Sequence, residues 1–107
     1  MNDGLSVSQR EAIRHVFSAH PEVREARLYG SRALSTFREA SDIDITLLGD
    51  INMELLNRIT NELDDLLLPY EFDVSIFEQI DNPLLIEHIK QFGRSFYRLA
   101  DNDDSNQ

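Results

Sequence analysis

The run IDITLL at residues 43–48 constrains the fold most, because it is rich in β-branched and apolar residues. Such a run predicts a well-buried strand. The stretch EFDVSIF at 71–77 alternates strictly between two faces, which predicts a second strand. Amphipathic helical patterns lie between the predicted strands. Strands that alternate with helices predict a sheet covered by helices.

Helix boundaries follow from local signals. Ser8 and Glu11 match a capping box that begins the first helix, and Pro21 ends it. In chain order we predict a helix from Ser8, a strand at 24–29, a short helix from Gly30, a strand at 43–48, a helix at 51–68, a strand at 71–77, a helix from Pro83 to Gly93 and a short strand at 95–99. The fold class is therefore α/β (α+β), with a small mixed sheet packed with helices.

The length of 107 residues favours a single domain, since a typical domain has about 100–200 residues. We expect this domain at residues 1–100 and a disordered acidic tail at 101–107. The absence of cysteine excludes disulfides, thiolate catalysis and cysteine-based zinc sites. No signal peptide and no apolar run of membrane-spanning length are visible, so we expect a cytoplasmic protein with no membrane partner.

The charge balance limits the partners. The chain has 20 acidic and 10 basic residues, which gives a net charge of −10. Such a chain should repel a nucleic-acid backbone, so we expect no direct nucleic-acid partner. Acidity also keeps a protein soluble, which is the simpler explanation of the same number.

Two aspartates, Asp42 and Asp44, lie on one face of the predicted strand at 43–48. No lysine or arginine stands between them, and an unpaired carboxylate pair is costly unless a cation neutralises it. Two carboxylates at this spacing can bracket a pair of divalent metals, as phosphoryl-transfer sites do. All-oxygen ligands favour magnesium or manganese. A solvated strand edge is the alternative explanation of the pair.

The glycine-serine pair at 30–31 predicts an anion site. It follows a strand and opens a short helix, where backbone N–H groups and a hydroxyl are exposed. Gly30 allows the backbone to approach a phosphate closely, and Ser31 can donate to a phosphate oxygen. Arg32 could pair with an aspartate or with a phosphate. Gly30 alone could be an ordinary turn glycine.

Asp73 is the third candidate. It lies on the predicted strand at 71–77, on the face opposite the apolar side chains. If that strand lies beside the one at 43–48, a third carboxylate joins the pair. Nucleotidyl transfer uses this arrangement, with two metals on the phosphates and a carboxylate that helps to activate the attacking hydroxyl.

The remaining polar residues give weaker signals. The three histidines, His15, His20 and His88, lack metal-ligand spacing, so we expect them at the surface or hydrogen-bonded locally. Thr46 is expected to pack or to hydrogen-bond locally, and Tyr29 to pack with a polar tip.

The segments GSRA at 30–33, SDIDI at 41–45 and FDVSIF at 72–77 together resemble the minimal nucleotidyltransferases of the polymerase-β-like superfamily. The pattern of that family is a glycine-serine pair, an Asp-x-Asp about a dozen residues on and a third aspartate on a later strand. The stretch at 82–97 also looks like the end of these domains. The resemblance covers the chain from about Val23 to Tyr97.

The resemblance implies a nucleotidyltransferase fold that takes ATP as substrate with two Mg²⁺ or Mn²⁺ ions. It implies catalytic and metal-binding roles for Asp42, Asp44 and Asp73, and nucleotide-binding roles for Gly30, Ser31 and Arg32. The small subfamily is commonly the antitoxin partner of a helical HEPN-type protein, and some members are thought to transfer AMP to a tyrosine of that toxin. These are the partner and the acceptor that the resemblance implies.

One departure from the family pattern keeps a second function open. Leu34 and Ser35 stand where the family usually has a basic residue and a glycine, which removes a possible phosphate contact and a flexible turn residue. The chain could therefore transfer AMP to a partner protein or neutralise that partner by binding alone. Modification of a small molecule is a third function, but it needs an additional helical region that this chain is too short to contain.

Overall fold

The computed structural model describes residues 3–34 and 42–99, and its four strands form one mixed sheet. The strands are β1 (Val23–Tyr29), β2 (Ile43–Gly49), β3 (Phe72–Ile76) and β4 (Arg94–Arg98), in the order β3-β2-β1-β4. Strand β2 runs parallel to β3, and β1 is antiparallel to both β2 and β4. The predicted class and the mixed sheet are confirmed.

Three α-helices complete the described part of the chain: α1 (Val7–Ser18), α2 (Met53–Asp64) and α3 (Pro83–Phe92). A single 3-10 turn at Phe77–Gln79 follows β3. The residues of the predicted tail at 101–107 lie outside the described residues. Within the described ranges, no helix has the length and the apolar character that a membrane span requires.

The two faces of the sheet have different roles. One face carries the apolar side chains of the strands and packs against α1 and α2. The core between them includes Ile13, Phe17, Leu28, Ile43, Ile45, Leu47, Ile59 and Leu63. The other face carries the polar positions of β2 and β3, and α3 lies over its β1 side. Ile89 of α3 is buried outside the main core, which agrees with this placement. The second face is therefore the one that can hold a polar site.

The capping box of α1 differs from the predicted one. Ser6, not Ser8, precedes the helix: its hydroxyl accepts from the Gln9 N–H at 3.1 Å, and the Gln9 side chain accepts from the Ser6 N–H at 3.0 Å. The assignment of the box to Ser8 and Glu11 was wrong, because glutamine can take the place of glutamate in a capping box.

Two other boundaries also moved. Helix α2 ends at Asp64 rather than at residue 68, and Leu67 has a φ of 58° with an 88% exposed side chain. Leu67 therefore belongs to the turn that ends the helix and not to the core. Strand β3 ends at Ile76, so Phe77 is no longer part of its alternation.

Candidate active site

Asp42 and Asp44 lie at the beginning of β2, on the polar face of the sheet. Asp42 directly precedes the strand and is exposed, whereas Asp44 lies within it and is half-buried. Because side chains alternate along a strand, both carboxyl groups share a face with Thr46, opposite the core residues. The structure places the two aspartates on one face, as the sequence predicts.

Asp73 joins them from the neighbouring strand. In the parallel register of β2 and β3, Asp73 is the direct partner of Asp44. Neighbouring strands lie about 4.8 Å apart, so these two side chains leave the sheet side by side on the same face. Three carboxyl groups therefore lie at one end of the sheet.

Gly30 follows β1 and faces Asp44. Its φ of 77° lies in the left-handed region, which favours glycine. A Cβ atom at this position would also overlap Oδ2 of Asp44, so the contact itself excludes a side chain. The backbone of the glycine-serine turn thus lies directly against the central carboxylate. A triphosphate that carries metal ions needs this combination of backbone donors and carboxylates.

The turn after Gly30 is described as far as Leu34, whose N–H donates to the Gly30 carbonyl at 3.2 Å. Ser31 is half-buried within it, and the side chain of Leu34 is 45% exposed. The rest of the predicted short helix and Ser35 lie outside the described residues. An exposed leucine therefore stands where the family pattern has a basic residue.

The electrostatics of the site appear most clearly at Asp44. Burial, followed by the carboxylates of Asp73 and Asp42, raises the pKa of Asp44 to about 6 from an ordinary 3.8. The charges of Arg32 and His88 act in the opposite direction but do not offset the rise. The site therefore has negative charge in excess of its own cations.

Tyr29 and Ser75 form part of the same face, and the sequence did not point to Ser75. The Ser75 hydroxyl donates to Thr46 Oγ1 at 3.1 Å, which agrees with the local hydrogen bond expected of Thr46. Burial, with the nearby Asp73 and Asp44, raises the pKa of Tyr29 above its ordinary value, although a hydrogen bond with Ser75 opposes the rise. The buried phenol therefore stays protonated beside the carboxylates.

Arg32 is buried behind the glycine-serine turn. Its side chain is only 1% exposed, and its guanidinium donates to the backbone carbonyls of Asp3 at 2.8 Å and Asp42 at 3.3 Å. The same guanidinium lies 4.6 Å from the ring centroid of Tyr70. Arg32 therefore makes a structural pairing with two backbone carbonyls. Its predicted role in nucleotide binding stays a prediction.

His88 was expected at the surface or locally satisfied, yet it reaches the site from α3. Its Nε2 accepts from the N–H of Gly30 at 3.1 Å, across 58 positions of sequence. Sequence spacing gave no signal of this contact, because it depends on how α3 lies over β1. His20, in contrast, lies away from the site. Its Nε2 atom is 2.8 Å from Oε1 of Glu62.

The donor set fits a hard divalent cation, because Asp42, Asp44 and Asp73 offer only oxygen atoms. The raised pKa of Asp44 supports this fit, since it marks negative charge that a cation would offset. Within residues 3–34 and 42–99, no three acidic, histidine or cysteine side chains converge closely enough to hold an ion as they stand. The strand register places Asp44 directly beside Asp73.

Cavity volume does not point to this site. A cavity of about 840 Å³ is lined at the other end of β2, by Gly49, Asp50 and Arg98 among others. Metal–phosphate chemistry can take place on an open carboxylate face, so the chemical groups identify the site better than the volume.

Solved structures share this fold. A toxin-antitoxin complex with AMP-PNP matches with a TM-score of 0.70 and 18% identity, over 89% of this chain and 77% of that chain. A complex of tri-AMPylated HEPN toxin and MNT antitoxin from Shewanella oneidensis matches with a TM-score of 0.64 and 16% identity, over 91% and 76%. A putative nucleotidyltransferase from Sulfolobus solfataricus matches with a TM-score of 0.51 and 18% identity, over 89% and 91%. At these identities the likeness establishes the fold.

The sequence itself gives the family. No curated protein sequence matches the chain. The family model described as "Polymerase beta, Nucleotidyltransferase" matches residues 11–102, a range that includes the glycine-serine turn and all three aspartates. The chain therefore belongs to the polymerase beta nucleotidyltransferase family.

Proposed function

We propose that the chain transfers AMP from ATP, with divalent metal, to a hydroxyl group on a HEPN-type partner protein and thereby acts as an antitoxin. The observation that carries the proposal is the contact of the Gly30 backbone with the Asp44 carboxylate, with Asp73 beside it in register. These groups combine an anion-binding turn with a carboxylate cluster, which is what nucleotidyl transfer needs.

The glycine-serine turn is the phosphate side of the proposed site. The N–H of Gly30 and the hydroxyl of Ser31 donate to oxygens of the triphosphate. Arg32 supports them from behind, because its guanidinium ties the Asp42 carbonyl to the turn. The turn therefore fixes the triphosphate relative to the carboxylates.

The carboxylates are the metal side. Asp42, Asp44 and Asp73 would hold two magnesium or manganese ions together with the nucleotide. When bound, such ions neutralise phosphate charge and polarise the phosphoryl oxygens. The exposure of Asp73 on β3 agrees with a role toward an approaching acceptor.

The proposed reaction is a simple displacement. The acceptor hydroxyl oxygen forms a bond to the α-phosphorus of ATP, and the bond from that phosphorus to the bridging oxygen of the β-phosphate breaks. Pyrophosphate leaves with the bonding electrons, and Asp73 accepts the proton of the hydroxyl. The products are an AMP ester on the partner and pyrophosphate.

The choice of AMP and of a protein acceptor draws support from the structural neighbours. One of them holds AMP-PNP, and another contains an AMPylated HEPN toxin with its MNT antitoxin. The excess negative charge of the chain agrees with a basic partner.

Neutralisation by binding alone is the second candidate, and Leu34 favours it. An exposed leucine follows the glycine-serine turn where a basic residue would contact phosphate. A domain with weakened nucleotide affinity could still cover a toxin surface. Transfer and binding differ in whether the partner gains mass.

The test is titration calorimetry of the chain with Mg-ATP, followed by intact mass spectrometry of the partner after incubation with both. We expect binding, and a mass increase of one or more adenylyl groups on the partner. Asp42→Asn should abolish the metal-dependent binding and the mass increase, while Asp50→Asn, at the far end of β2, should change neither. Undiminished Mg-ATP binding by Asp42→Asn would show that the metal site lies elsewhere.

A further inference from the structure

The side chain of His88 accepts a hydrogen bond from a backbone N–H that the proposed chemistry requires. The Nε2 atom accepts from the backbone N–H of Gly30 at 3.1 Å. A nitrogen that accepts carries no proton, so this geometry places the proton of the neutral ring on Nδ1. The N–H involved is the one that the glycine-serine turn would offer to a phosphate oxygen.

The imidazole is held in this position by aromatic neighbours. Its ring lies edge-on to Tyr29, with centroids 6.3 Å apart, and 5.5 Å from the ring of Phe92, one turn later on α3. The end of α3 is fixed to β1, because Arg27 Nη2 donates to the Gly93 carbonyl at 2.7 Å. The contact with Gly30 is therefore built into the packing of α3 on the sheet.

We propose that His88 is a positioning residue of the phosphate site, which holds the Gly30 N–H in the free protein and releases it when a triphosphate binds. This inference rests on the proposed function. In the free state the hydrogen bond occupies the Gly30 N–H. A phosphate oxygen must then displace the imidazole, because one N–H makes one strong hydrogen bond.

The competition has a predictable size and direction. In the nucleotide-free protein without His88, water would take the N–H of Gly30. The net gain of a protein hydrogen bond over one to water corresponds to about a 2- to 12-fold change in an equilibrium constant. Removing the acceptor nitrogen should therefore tighten triphosphate binding by that factor. The turn itself keeps its hydrogen bond from the Leu34 N–H to the Gly30 carbonyl.

The test is titration calorimetry with Mg-AMP-PNP at pH 8. His88→Phe keeps a flat ring between its aromatic neighbours but removes the acceptor, and we expect about 2- to 12-fold tighter binding. His88→Gln supplies a carbonyl acceptor and should return the affinity toward that of the wild type. His15→Phe makes the same chemical change at an exposed position of α1 and should leave the affinity unchanged.

The outcomes separate the inference from the proposed function. Wild-type protein that does not bind Mg-AMP-PNP would contradict the proposed function and this inference with it. Wild-type binding with equal affinity in His88→Phe would contradict the inference alone. Weaker binding in His88→Phe would also overturn it and would make His88 a direct ligand of the nucleotide.

A measurement on the wild-type protein does not depend on the folding of any variant. Nuclear magnetic resonance should detect a coupling between the Gly30 amide nitrogen and His88 Nε2 across their hydrogen bond. We expect this coupling to vanish when Mg-AMP-PNP saturates the protein. A coupling that persists in the complex would overturn the inference.

Discussion

The carboxyl group of Asp44 is half-buried beside two other aspartates, and its pKa of about 6 in the folded protein compares with 3.8 for an ordinary aspartate. Between these two values the folded state binds more protons than the unfolded state. Stability from this group therefore falls as the pH rises from about 4 to 6, and stays lower above that window. Asp44 costs the metal-free protein stability at neutral pH.

Asp44→Asn should accordingly stabilise the metal-free protein. We expect the free energy of unfolding to rise by about 1 kcal/mol at pH 7.5, a value discounted for the exposure of the side chain, and by less at pH 4.5. Urea denaturation at both pH values would measure it, with exposed Asp50→Asn as control. A gain that is equal at the two pH values would show that charge is not its cause.

Asp73 and Asp42 share a face but should differ in their kinetic effects. Asp73 is the proposed proton acceptor, so Asp73→Asn should leave Mg-ATP binding largely intact while AMP transfer falls about 100- to 10,000-fold. Calorimetry and a transfer assay on the same preparation would separate the two effects. A variant that transfers AMP at the wild-type rate would make Asp73 structural.

At the scale of elements, the glycine-serine turn and β2 are joined through the contact of Gly30 with Asp44. Gly30→Ala should destabilise the protein by about 1–3 kcal/mol, because the left-handed φ is strained and the new Cβ overlaps Oδ2 of Asp44. In an Asp44→Ala background the overlap disappears and the strain remains, so the cost should fall. Thermal unfolding of the wild type, the two single variants and the double variant would give this coupling. Additive costs would show that the carboxylate does not press on the turn.

The elements themselves were largely predictable, because hydrophobic periodicity is a local signal. It identified the four strands and three helices that the structure describes, within a few residues of their ends. The ends failed where two signals compete. Ser6 and Ser8 both suit a helix cap, and only the contacts of Gln9 decide between them. Leu67 continues the leucine periodicity of α2, but its backbone already turns away.

The site was only partly predictable, for a physical reason. Asp42, Asp44 and Asp73 carry their own signal, because charges on an apolar strand pattern are costly and therefore visible. His88 carries none, because it reaches the site through the packing of α3 on the sheet. The buried guanidinium of Arg32 donates to the backbone carbonyl of Asp3, and no sequence motif indicates this contact.

At the scale of the whole molecule, the described elements account for the nucleotide half of the proposed reaction. The sheet carries the carboxylates on its polar face, where the glycine-serine turn and α3 also lie. A transferase must also position an acceptor hydroxyl, since holding the reactants in geometry supplies much of the rate. We therefore expect the acceptor to be held by another chain.

The net charge of −10 predicts that electrostatic attraction contributes to association with that partner chain. A HEPN-type partner that acts on RNA should be rich in basic residues. Attraction between the opposite charges should accelerate the encounter of the two proteins, and the acidic chain should compete with RNA for the surface of the partner. We expect co-elution of the two proteins in size-exclusion chromatography. The association rate should fall steeply as salt rises, whereas the dissociation rate should change little. Stopped-flow mixing over a salt series would measure both rates.

Failure to co-elute would contradict the partner proposal, and an association rate independent of salt would contradict the electrostatic part alone. If the two proteins co-elute and the toxin is inactive without any added adenylyl mass, neutralisation by binding is favoured. Binding between surfaces of opposite charge would then be enough to block the toxin.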